Sequence, residues 1–73
     1  MSKYDPLREF LKHNRGESVE LTVKQINIIL RDELPDAAYM HYAFWRNMDW
    51  GTEWRVSTHA ENGKIAWVQF IRE

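Results

Sequence analysis

Residues 54–72 read WRVSTHAENGKIAWVQFIR, two runs rich in β-branched and aromatic residues on either side of Asn62-Gly63. Asn-Gly between such runs is the strongest short-range hairpin signal, because a type I′ turn needs φ above zero at both central residues. Two registers are open. A two-residue turn over Asn62-Gly63 puts Trp54, Val56, Ile65, Trp67 and Ile71 on one face and Ala66, Val68 and Phe70 on the other. A three-residue loop over Glu61-Asn62-Gly63, with Gly63 in a G1 bulge, groups Trp54, Val56, Ala66, Val68 and Phe70 and turns Ile65, Trp67 and Ile71 outward. In both, the last strand is apolar on its two faces, whereas a strand covered on one side alternates. Either the N-terminal segment covers the second face, or that face is a protein-binding or dimer surface with Ile65, Trp67 and Ile71 as its contacts.

Upstream of the hairpin the period changes from two to 3.6. Pro35 opens a helix that runs through Asn47, with Asp36 in the first turn where the helix dipole favours an acid. At about 100° per residue, Ala37, Ala38, His41, Phe44 and Trp45 fall on one arc and Asp36, Tyr39, Met40, Ala43, Arg46 and Asn47 on the opposite one. His41 is therefore expected as a hydrogen-bonded core histidine. The preceding helix starts at Thr22-Val23-Lys24-Gln25, a capping box in which Thr22 and Gln25 satisfy each other's backbone N–H, with Leu21 and Ile26 as a hydrophobic staple. Val23, Ile26, Ile29 and Leu30 form its apolar stripe, and Pro35 ends it. Ser18 to Leu21 suits a short strand. The first helix has Asp5 as N-cap and Pro6 at its first position, sets Leu7, Phe10 and Leu11 on one face, and stops at Asn14 to Gly16.

The expected fold is α+β: a small winged helix-turn-helix-like domain with three helices, a C-terminal β-hairpin as the wing, and a short strand before the second helix. It occupies residues 1–73 as a single domain, since a chain of 73 residues has room for one core. Zero cysteines remove disulfides, thiol chemistry and Cys-based zinc sites together. No 18-residue apolar run exists to cross a membrane, and Met1 to Pro6 lacks the apolar run of a signal peptide, so the expectation is a cytoplasmic protein.

Charge is the main evidence on partners. The net charge is −1 and the pI near 6.3, far from the basic balance of a phosphate-binding domain. The distribution is uneven, positive over residues 1–15 and negative over residues 16–36, so a nucleic-acid footprint has to be local. Its contacts would be Tyr39, Met40, Ala43, Arg46 and Asn47 reading a major groove, Lys24 and Lys64 on phosphates, and His59 and Asn62 assisting. A continuous positive stripe joining Lys24, Arg46 and Lys64 would favour DNA. An exposed Trp67 with Ile65 and Ile71 would favour a partner protein, a second copy of the chain, or the target of a small phage-type inhibitor.

Other chemistries lack their residues. His13, His41 and His59 share no ligand spacing, so no metal or other cofactor is expected. Three glycines provide no phosphate loop, and no Ser, His and acid arrangement carries an oxyanion-hole signal. The reading is a non-enzymatic module without a small-molecule substrate. Tyr39, Tyr42, Phe44, Trp45, Trp50, Trp54 and Trp67 are expected mainly to make a small core dense enough to fold, rather than to stack on single-stranded bases.

These elements also resemble an uncharacterised family of small bacterial and phage domains. The resemblance rests on Tyr4-Asp5-Pro6-Leu7, Leu21-Thr22, Leu34-Pro35-Asp36-Ala37-Ala38, Phe44-Trp45-Arg46-Asn47, Trp54-Arg55-Val56 and Val68-Gln69-Phe70-Ile71-Arg72. It covers nearly the whole chain and departs at Phe44, where the family tends to have Trp, and between Asn47 and Trp54, where this chain is shorter. It implies the winged-helix-like fold and the register with Gly63 in a bulge, and it implies no activity.

Overall fold

A computed structural model of the chain describes residues 3–48, 50 and 53–73. Its elements are α1 (Asp5–His13), β1 (Ser18–Thr22), α2 (Val23–Leu30), α3 (Asp36–Met40), α4 (Tyr42–Arg46), β2 (Trp54–Glu61) and β3 (Lys64–Arg72). The architecture is α+β, with helices packed on one face of a three-stranded antiparallel sheet of order β1–β3–β2. No helix among the described residues is long and apolar enough to cross a membrane.

The capping box forms as read: the Gln25 N–H donates to Thr22 Oγ1 at 3.1 Å and the Thr22 N–H to Gln25 Oε1 at 2.8 Å. Leu21 and Ile26, the staple pair, are both buried. Chain leaving β1 thus enters α2 without a loop, which holds α2 against β1 and β3. The start of α1 differs by one residue. Tyr4 is the N-cap, its carbonyl accepting from Leu7 and Arg8, while Asp5 lies inside the first turn and pairs with Arg8 at 2.9 Å. A side chain bound to Arg8 in this way leaves the capping role to the backbone. Leu7 and Leu11 face the core and are buried, while Phe10 is exposed.

The expected third helix is two helices. At His41 the backbone is extended (φ −131°, ψ 119°), separating α3 from α4, and Pro35 is the N-cap of α3 rather than its first residue. In a continuous helix the Ala38 carbonyl would accept from the N–H of Tyr42. Here it accepts the buried Trp45 indole N–H at 2.9 Å instead. Breaking the helix lets Trp45 turn fully into the core without an unsatisfied donor, and it places His41 in solvent rather than in the core.

The hairpin combines parts of both expected registers. Asn62 (φ 54°) and Gly63 (φ 80°) make the two-residue type I′ turn, so Glu61 pairs with Lys64 and Ala60 with Ile65. A β-bulge then intervenes: the next pair is His59 with Trp67, and the ladder runs on through Val56 with Phe70 to Trp54 with Arg72. Ala66 is the extra residue. The bulge lets Ile65, Val68 and Phe70 all face the helices although Ile65 and Val68 are three apart. Ile65 is therefore a core residue at 7% exposure, not a contact on the outer face.

An aromatic chain organises the interior. Tyr4, Phe44, Trp45, Trp50 and Phe70 follow one another with ring centroids 5.1–5.9 Å apart, mostly edge to face. The Trp50 indole N–H donates to the Trp45 carbonyl at 2.9 Å, so both buried indoles are satisfied. Trp45, Trp50 and Trp54 thus serve the core, as expected.

Candidate binding surfaces

The outer face of the sheet follows from register. Ser18, Glu20 and Thr22 of β1 lie beside Ile71, Gln69 and Trp67 of β3, which lie beside Arg55, Ser57 and His59 of β2. The residues between them, Val19, Leu21, Val56, Val68 and Phe70, belong to the core or pack against it. β1 extends the sheet at its edge, so the N-terminal segment pairs with β3 and does not cover its second face. Among the described residues, no element lies over that face. Trp67, Gln69 and Ile71 are half-buried by their neighbours alone, while Ser18, Glu20, Thr22 and Arg55 are exposed. The His59 ring stacks on Trp67 at 3.7 Å and an interplanar angle of 9°, and Ser57 Oγ lies 3.4 Å from His59 Nε2. His59 accordingly belongs to this surface and not to the groove at the hairpin tip.

That groove, of about 510 Å³, lies between the start of α2 and the tip of the hairpin. It brings together Lys24, Tyr39, Asn62 and Lys64, four residues nominated for DNA contact, over a floor that includes Val23 and Ile65. Glu33 and Glu61 line it as well, so its two lysines are matched by two carboxylates. Tyr39 is half-buried rather than outward, its hydroxyl accepting from Asn27 Nδ2 at 3.1 Å. Asn27 Oδ1 in turn accepts the Leu34 N–H at 3.0 Å. Asn27 thereby fixes α3 relative to α2. Sequence reasoning passed over it because a polar residue beside an apolar stripe reads as solvated.

Arg46 lies elsewhere. It lines a second groove, of about 450 Å³, with Tyr42, Met48, Trp50, Trp54, Arg55, Val56 and Glu73. Of these two grooves, one takes Lys24 and Lys64 and the other takes Arg46, so neither joins all three positions. Met40, Ala43 and Asn47 are exposed but split between the end of α3, the first turn of α4 and the C-cap of α4. Tyr42 uses its hydroxyl on the edge of β2, donating to the Val56 carbonyl at 3.3 Å. No group of three or more His, Asp or Glu among the described residues could hold a metal ion.

No curated protein and no solved structure matches the chain. A family profile described as "Domain of unknown function (DUF7662)" matches residues 4–69, which takes in α1, both sheet edges and the hairpin up to Gln69. By that match over most of its length, the chain belongs to this family of domains of unknown function.

Proposed function

We propose that this chain is a non-enzymatic protein-interaction module on a winged-helix-like frame, docking through the outer face of its sheet. One observation carries the reading: the helices occupy one side, and the central strand presents Trp67 and Ile71 on the other, with Glu20 and Arg55 as the charges at its edges. Tryptophan is the residue type most enriched where interfaces concentrate their binding energy, and a flat polar surround excludes water from it. The winged-helix part rests on the order of elements and on β1 lying beside β3 at the sheet edge. Electrostatics point away from phosphate as the main ligand, since the groove at the hairpin tip carries no net charge and the overall charge is −1. The interrupted helix also provides no continuous rod for a major groove.

DNA binding stands as the second reading, favoured by the convergence of Lys24, Tyr39, Asn62 and Lys64. One experiment separates the two. Binding to mixed duplex DNA at about 50 and about 200 mM salt is measured alongside capture of partners on the immobilised chain. Wild type is compared with Trp67→Glu, with Ile71→Glu, and with Lys24→Glu/Lys64→Glu together. A partner lost in the sheet-face variants and retained by the lysine variant supports the proposal. Affinity for DNA that falls steeply with salt and disappears in the lysine variant replaces it with the second reading.

A further inference from the structure

We infer that the occupant of the outer sheet face is a second copy of this chain, related by a two-fold axis parallel to β3; this rests on the reading of that face as a docking surface. The argument is self-complementarity. The face is a grid of three strands and three rows: Thr22, Trp67 and His59; Glu20, Gln69 and Ser57; Ser18, Ile71 and Arg55. By register Glu20 stands on one outer strand and Arg55 on the other, where Arg55 also lines the groove beside α4. Neither Glu20 nor Arg55 has an ion pair with another described residue.

A symmetric interface must bring each patch onto itself. An axis along β3 sets Trp67, Gln69 and Ile71 against their own counterparts and lays β1 of each copy over β2 of the other. Glu20 then stands one row from Arg55 of the second copy, on both sides of the axis. Two sheets pack about 10 Å apart, a gap that Glu and Arg side chains span together. An axis across the strands would instead place Glu20 over Glu20, which like-charge repulsion disfavours. The charge pattern therefore selects one of the two face-to-face arrangements and makes both copies donate the same pair.

The area sets the strength. The three rows run over the five residues of β1 that pair with β3, so the three-stranded face is roughly 17 Å long and about 14 Å wide. That footprint is well below the roughly 800 Å² per partner of a standard specific interface, so the dimer is weak and dissociates on dilution.

The test is the mass of the intact chain in solution by sedimentation over a wide concentration range, for wild type, Glu20→Arg, Arg55→Glu and the double exchange. Each single exchange should raise the dissociation constant by roughly tenfold or more, and the double exchange should return it to within about threefold of wild type. Because both positions are exposed, the folded state of each variant is checked by its near-ultraviolet tryptophan signal. Dilution of wild type should also shift the NMR resonances of the Trp67 indole and the Gln69 side-chain amide, with no variant involved. A chain that is monomeric at every concentration overturns the inference, as does a dimer indifferent to the single exchanges or one that the double exchange fails to restore. If the chain is monomeric while Trp67→Glu still abolishes capture of another protein, the docking face stands and only its occupant is wrong.

Discussion

At the scale of single residues, hydrogen-bond satisfaction decides which positions matter. Asn27 serves two partners on α3 and its approach, so Asn27→Ala leaves the Leu34 N–H without its acceptor and should destabilise the domain by about 1–3 kcal/mol. Urea unfolding followed by tryptophan fluorescence measures this directly. The opposite sign is expected at Arg31. It holds the left-handed conformation (φ 57°) that ends α2, where glycine carries no Cβ penalty. Arg31→Gly should therefore raise stability by about 0.5–1 kcal/mol, read from the same unfolding curves. Gly63, at φ 80° in the turn, has open space around the site of a Cβ. Any loss in Gly63→Ala comes from backbone strain alone, about 1–2 kcal/mol.

At the scale of elements, the bulge takes up Ala66 as one extra residue, so that Ile65 stays on the core side of a strand whose pleat already serves two surfaces. Removing Ala66 deletes the extra residue while leaving Ile65, Val68 and Phe70 on the core side and Trp67 opposite His59. A chain lacking Ala66 should keep its fold, with the NMR contacts between His59 and Trp67 intact. A chain lacking Gln69 should not, because every residue after the deletion changes face and Phe70 leaves the core. Similar reasoning applies to the break at His41, which depends on the Trp45 indole taking the Ala38 carbonyl. Periodicity placed the correct apolar residues on one arc, and Ala38 and Trp45 are indeed buried. It could not register that one side-chain donor would replace a backbone donor and split the helix.

For the whole molecule, Arg72 closes the fold. Its guanidinium donates to the Asn14 and Gly16 carbonyls in the connection between α1 and β1, pairs with Glu53 at 2.6 Å, and lies 4.4 Å from the centre of the Trp54 ring. The Arg72 backbone N–H donates to the Glu17 carbonyl at 2.7 Å. The ion pair itself is at the surface and contributes little, so Glu53→Ala should cost under about 1 kcal/mol. Arg72→Ala removes the carbonyl bonds and the ring contact as well and should cost about 2–3 kcal/mol. Arg72→Lys should recover only part of this, since an ammonium cannot present the planar fork. Thermal unfolding of the three variants gives the ranking, and equal losses in Glu53→Ala and Arg72→Ala would sink it.

What the sequence by itself determined was local: the Thr22 capping box, a chain reversal at Asn62-Gly63 and most of the apolar residues of each element, whereas α2 ends before Pro35, at the left-handed Arg31. Each depends on interactions spanning a few residues, which are present in the chain before it folds. The tertiary structure decided where the bulge falls, which way Ile65 points, where α3 ends and which charges meet. Those outcomes depend on contacts between segments far apart in sequence. Two open registers became one ladder because the core had to take Ile65 together with Val68 and Phe70, and the expected recognition helix split, separating Met40 from Ala43 and Asn47, because the core had to take Trp45.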